Sequence, residues 1–148
     1  MDPTTHTVMM VVVRYLHISG AVLAIGGIAF YITCLLPAAR QLDDAARESL
    51  VKAAHHRFLR VLWLAIGLLV ITGTVNWMAN FEAYRRMGPM GNALIGTKVL
   101  LALIMFALVL ARSAGLIQPR NPRLLPMINL HLGAIVIVLA SILRVLRG

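Results

Sequence analysis

Four basic residues lie more than a helical turn inside the long apolar stretches of this 148-residue chain: Arg14, His17, Lys98 and His131. No carboxylate lies with them, and the acids Asp2, Asp43, Asp44, Glu48 and Glu82 all fall outside those stretches. A cation in lipid costs several kcal/mol unless it reaches the surface or meets a counter-charge, so ionisable groups at such depth are read first as functional. Arg14 is close enough to its interface to snorkel, and Lys98, about 9 Å in at the helical rise, can either snorkel or stay neutral. The alternative is that a bound ligand brings the negative charge. A porphyrin carries two propionates, and neutral imidazole ligates haem iron well. Imidazole suits copper equally, and thioether sulfur is a soft ligand for Cu(I), so Met9, Met10, Met78, Met87 and Met90 keep copper in view. Methionine is also an adaptable packing residue, and only the loop pair Met87 and Met90 has no evident packing duty.

The elements that must position these residues follow from hydropathy. The chain is 60% hydrophobic and 13% charged, with a mean hydropathy of +0.86, the composition of an integral membrane protein. A bilayer core about 30 Å thick needs roughly 20 helical residues, and backbone amides in lipid must be paired within the segment. Four stretches qualify: residues 8–37, 58–80, 93–115 and 125–145. The expected fold is therefore all-α, a transmembrane four-helix bundle forming a single domain over residues 1–148. On the first helix His17, Gly20, Ala24, Gly27 and Tyr31 recur at steps of three or four and share one face. That face is a histidine above a groove of small residues, which admits either a neighbouring helix backbone or a flat ligand.

Residues 41–56 differ, because Leu42, Ala45, Ala46, Leu50, Ala53 and Ala54 are interleaved with Asp43, Asp44, Glu48 and Lys52. This pattern predicts an amphipathic helix at the interface, with Glu48 and Lys52 as a favourable pair, either lying flat or running straight into the second span. Pro37 is expected to end the first span. Trp63 and Trp77 mark the ends of the second span, Gly88, Pro89 and Gly91 form a turn, and Pro119, Pro122 and Pro126 break the chain before the fourth.

Four spans put both termini on one side. The first and third connections hold Arg40, Arg47, Lys52, Arg57, Arg60, Arg112, Arg120 and Arg123, and the opposite side holds Arg14, Arg85, Arg86, Arg144 and Arg147. Eight against five puts the termini outside by the positive-inside tendency. Along the helical rise, His17 and Lys98 fall about 8 to 14 Å below one surface, and His131 about 10 Å from the other. The titratable groups thus form two layers, His17 with Arg14 and Lys98, and His131 with His55 or His56. A shift of a few residues in the boundaries would instead merge His17 and His131 into one bis-histidine site.

The formal charge of +9 does not indicate nucleic acid, because the basic residues stand at the ends of apolar segments where they anchor to head groups. Cys34 is the only cysteine, so no internal disulfide forms. The first helix is too long for a cleaved signal peptide and is expected to be retained. Gly26-Gly27 lies within a span, so it is not a nucleotide loop.

The stretches RYLHISGAVLAIGG, HHRFLRVLWLAIGLLVITG and GTKVLLALIMFALVLAR together resemble the integral-membrane CopD-like copper-resistance family and the related HemJ-type protoporphyrinogen oxidases. These are small bundles with a histidine on the first helix and a lysine on the third, here His17 and Lys98; the arginine-flanked entrance to the second helix is Arg57 to Arg60. For the HemJ type the resemblance implies a b-type haem and oxidation of protoporphyrinogen, with His17 and Lys98 in the reaction centre. For the CopD type it implies handling of copper at the inner membrane. The leading expectation is a haem b protein that moves electrons. Its cofactor would be bound by Arg14, His17, Gly20, Ala24, Gly27, Arg57, Arg60, Lys98 and His131, and the metal-ligand candidates are His17, His131, His55 and His56. A copper transport or binding protein is the alternative, and an accessory subunit without a cofactor the third. Beyond the bilayer, the candidate partners are a redox protein, a larger membrane complex or a second copy of the chain.

Overall fold

The computed structural model describes residues 2–117, 121 and 123–147; Pro119, Arg120 and Pro122 lie outside the described residues. Helices run from Pro3–Phe30 (α1), Leu36–Ala39 (α2), Asp44–Ala79 (α3), Phe81–Arg86 (α4), Gly88–Ser113 (α5) and Leu124–Arg147 (α6), and no strand occurs among the described residues. Four helical runs are long and apolar enough to cross a membrane, namely Pro3–Ala39, Asp44–Ala79, Gly88–Ser113 and Leu124–Leu146. The all-α class and the four membrane-length helices expected from the sequence are therefore what the chain forms, and it is an integral membrane protein. It divides into two compact units, Met1–Met78 and Ala79–Gly148.

In the first unit α1 does not stop at Pro37. A π-helical turn, Tyr31–Leu35, carries it into α2, and the Leu36 N–H reaches back to the Tyr31 carbonyl. Proline lacks an N–H and its ring collides with the carbonyl four residues earlier, and the wider turn just before Pro37 accommodates both. The run ends at Arg40 instead. The interfacial segment and the second span are one helix: Asp43 Oδ1 accepts the Ala46 N–H at 2.9 Å, capping α3, which continues unbroken for 36 residues to Ala79. At the helical rise that is about 54 Å, well beyond a hydrocarbon core. The ion pair in its first turns joins Arg47 to Asp44, not Lys52 to Glu48.

Helices α1 and α3 run antiparallel in close contact. A Cβ on Gly20 would stand 3.2 Å from Leu69 Cγ and 3.4 Å from the Ala65 carbonyl oxygen, and one on Gly27 would run into the Phe58 ring. Beyond them Tyr31 and Phe58 stack with centroids 6.4 Å apart and planes 12° apart. The small residues of α1 therefore let a second helix approach, the usual role of such residues in membranes.

In the second unit α4 leads through Gly88, at φ +64°, into α5. The tight corner needs Gly91, where a Cβ would stand 2.5 Å from Met87 Cβ and 2.6 Å from the Tyr84 carbonyl oxygen. Helix α5 ends in a Schellman motif, with Gly115 at φ +73°, Leu116 N–H bonded to the Ala111 carbonyl and Gly115 N–H to that of Arg112. Helices α5 and α6 pack on each other. Along α6 Leu125, Asn129, Gly133 and Leu143 are buried.

Candidate functional site

His17 is held by α3. Its Nδ1 lies 2.9 Å from Thr72 Oγ1, and the Thr72 hydroxyl in turn donates to the Leu68 carbonyl at 2.6 Å. A hydroxyl has one proton to give. Because that proton goes to the carbonyl, Thr72 accepts from the ring, so Nδ1 carries a hydrogen, and in the neutral ring the lone pair is then on Nε2. Gly73 provides the room: a Cβ there would stand 3.3 Å from His17 Cε1. Thr72 is 4% exposed and His17 half-buried, so the bond is shielded from water.

His131 has the same proton arrangement by another route. Its Nδ1 lies 2.7 Å from the Met127 carbonyl of its own helix. A carbonyl only accepts, so this ring also donates from Nδ1, and in its neutral form the lone pair is on Nε2. The side chain is exposed, and two residues away Asn129 is 5% exposed with an Oδ1 that has no hydrogen-bond partner. Neutral imidazole with Nδ1–H on an oxygen acceptor is the form in which histidine binds a metal through Nε2.

The remaining candidates fall elsewhere. Gly20 and Ala24 are buried and Gly27 half-buried, and Gly20 and Gly27 face α3 side chains where a flat ligand was the alternative. Arg14 is exposed, one turn before His17. Arg57 and Arg60 are exposed on α3, and Arg60 is about 18 Å along the helix from Thr72. Lys98 is half-buried in α5, in the second unit.

His55 and His56 belong to the other end of the α1–α3 hairpin, where His55 lies 6.3 Å from the Tyr31 ring and 6.4 Å from that of His56. His55 is about 25 Å along α3 from Thr72, so His17 and these histidines cannot share one ion. No group of three His, Cys, Asp or Glu side chains suited to a metal occurs among the described residues. Met87 has a packing duty after all, because it lies over Gly91, while Met90 is 55% exposed.

Thr72, Gly73 and Asn129 were not singled out by the sequence. Thr72 and Gly73 left one signal, a polar residue beside a small one in the middle of an apolar span. Their partner is 55 residues away, and no local pattern specifies it. No protein-family model, curated protein or solved structure matches this chain. The functional reading therefore rests on its own residues.

Proposed function

We propose that this chain is an integral-membrane b-type haem protein that transfers electrons, with porphyrinogen oxidation as the reaction that its resemblance to the HemJ type implies. The observation that carries the reading is the hydrogen-bond chain from His17 Nδ1 through Thr72 to the Leu68 carbonyl, which orients an intramembrane imidazole and gives its neutral form the Nδ1–H tautomer. In this reading His17 would hold the haem iron. Thr72 fixes its tautomer and ring orientation, as outer-shell partners of metal-bound histidines do. His131, which also donates from Nδ1, would be a ligand to another iron, in the second unit. Arg14, one turn before His17, would offset propionate charge there, and Lys98 would offer a cation to a group bound in the second unit. When bound, haem supplies one-electron chemistry at a potential tuned by its axial ligands and their hydrogen bonds. The groove of Gly20 and Gly27 is taken up by α3 and is not part of the contact.

The test is an absorption spectrum of the purified protein from haem-replete cells, oxidised and then reduced with dithionite, with metal analysis on the same sample. A Soret band with sharp reduced α and β bands is expected. A colourless protein containing copper would replace this reading with copper handling of the CopD type. A chain with neither metal would make it an accessory subunit of a larger membrane complex. Full haem content in a His17→Ala variant would remove His17 as ligand.

A further inference from the structure

Helix α3 carries a second feature, on the side turned away from α1. Phe58 and Leu62 lie on its α1-facing side, with Phe58 against Gly27 and Tyr31 and Leu62 buried. Arg60 is two residues from each, about 200° round the helix. On that outer side Lys52, His56, Arg60 and Trp63 follow at helical spacing, flanked by Arg57 and Leu64, and all six are exposed. Below Trp63 comes Gly67, where a Cβ would have no atom within 4 Å.

Charge and depth divide this stripe. No acid occurs between Glu48 and Glu82, and Arg57 and Arg60 make no ion pair among the described residues, where the pairs are Arg47–Asp44 and Arg85–Glu82. Glu48 lies one turn before Lys52 and offsets that end, so the unbalanced charge is centred on Arg57 and Arg60. Immediately beyond Arg60 the sequence turns apolar as far as Val75. The arginines thus stand at head-group level, and Trp63, 39% exposed, and Leu64, 76% exposed, stand at the top of the acyl chains.

We propose that Arg57 and Arg60, with His56 and Lys52 at their flank, form a binding site for the phosphodiester head group of an anionic glycerophospholipid whose acyl chain lies over Trp63, Leu64 and Gly67. Guanidinium groups pair with phosphate oxygens through two parallel N–H donors, which ammonium groups cannot do. This site does not depend on the haem reading, since it lies on the opposite side of α3 from the His17 contact.

Trp63 is the reporter. In a Trp77→Phe background it is the sole tryptophan, and the full-length chain is reconstituted in phosphatidylcholine vesicles. These are doped at equal mole fraction with either phosphatidylglycerol or phosphatidylcholine brominated on the acyl chain. The expected result is preferential quenching by the brominated phosphatidylglycerol, with about fivefold local enrichment for each arginine. Arg57→Gln/Arg60→Gln abolishes the preference, Arg57→Lys/Arg60→Lys keeps part of it, and Arg85→Gln/Arg86→Gln leaves it intact. Equal quenching of the parent chain by the two lipids would overturn the proposal, even if the glutamine variant does not fold. So would weak quenching by both, which would mean that a protein, such as a second copy of the chain, covers the stripe. A preference that survives the double glutamine change would overturn it too.

Discussion

His17 and His131 both donate from Nδ1, yet α3 fixes one of them while the other is fixed by its own helix. His17 needs Thr72 and Gly73, 55 and 56 residues away, so its tautomer exists only when α1 and α3 are packed. His131 bonds to a carbonyl four residues earlier and holds its proton wherever α6 is helical. Burial follows the same division, His17 being half-buried and His131 exposed. A ligand held by tertiary contact is set to one orientation, whereas one held by its own turn is free to follow whatever binds it. His17 is accordingly set by the packing of α1 on α3, and His131 by its own helical turn alone.

The largest effect that would break this comparison is on haem content. His17→Ala is expected to remove nearly all Soret absorbance from the purified protein, whereas His131→Ala keeps most of it. Equal loss in both would erase the distinction. Thr72→Val comes next: it removes the acceptor without touching the ring, and haem affinity is expected to fall about 10- to 100-fold, as outer-shell changes do. Nitrogen-15 shifts of the imidazoles give the direct readout. They should report a tautomer mixture at His17 in this variant while His131 stays protonated at Nδ1.

Asn129 sharpens the contrast from the other side, since it is a buried polar group whose Oδ1 is unsatisfied. Asn129→Leu is expected to raise thermal stability, by about 1 to 3 kcal/mol if the full desolvation penalty is relieved. An unchanged or lower melting temperature would mean that the amide is bonded in the working protein. The smallest effects concern glycines. Gly73→Ala must displace the His17 ring by a few tenths of an ångström and should shift the Soret maximum slightly with little haem loss. Gly96→Ala, where a Cβ meets nothing within 4 Å, should stabilise α5 by no more than about 1 kcal/mol through helix propensity.

The membrane-length helices were legible because hydropathy and length are local properties, and each observed run overlaps its expected span. The run of the interfacial segment straight into the second span was one of the two readings left open, and the end at Pro37 differed, each for a physical reason. Charge interrupts the apolar pattern between Asp43 and Arg60, but Ala, Arg, Glu, Leu and Lys are good helix formers and α3 continues through them. Pro37 predicts an end, and a five-residue turn carries the helix past it. The site was legible only in part. His17 stood out as a histidine in an apolar run, but Thr72 and Gly73 belong to it through a long-range contact. The face of Gly20 and Gly27 satisfied two readings, and only the position of Phe58, Ala65 and Leu69 separates them.

The π-helical turn at Tyr31–Leu35 has a bearing on which length changes α1 tolerates. Buried positions step from Gly20 to Ala24, Ile28 and Tyr31, then jump five residues to Leu36 before Ala39. The turn is in effect a spare residue in the helical phase. Deleting one residue within it, together with Pro37→Ala to remove the ring clash that α geometry would restore, leaves Leu36 and Ala39 in phase with Tyr31. The same deletion between His17 and Gly27 rotates every later side chain by about 100° and unseats Tyr31 from Phe58. Length variants of this helix are thus expected to keep the hairpin when the change falls between Tyr31 and Leu35, and to lose it when it falls a few turns earlier.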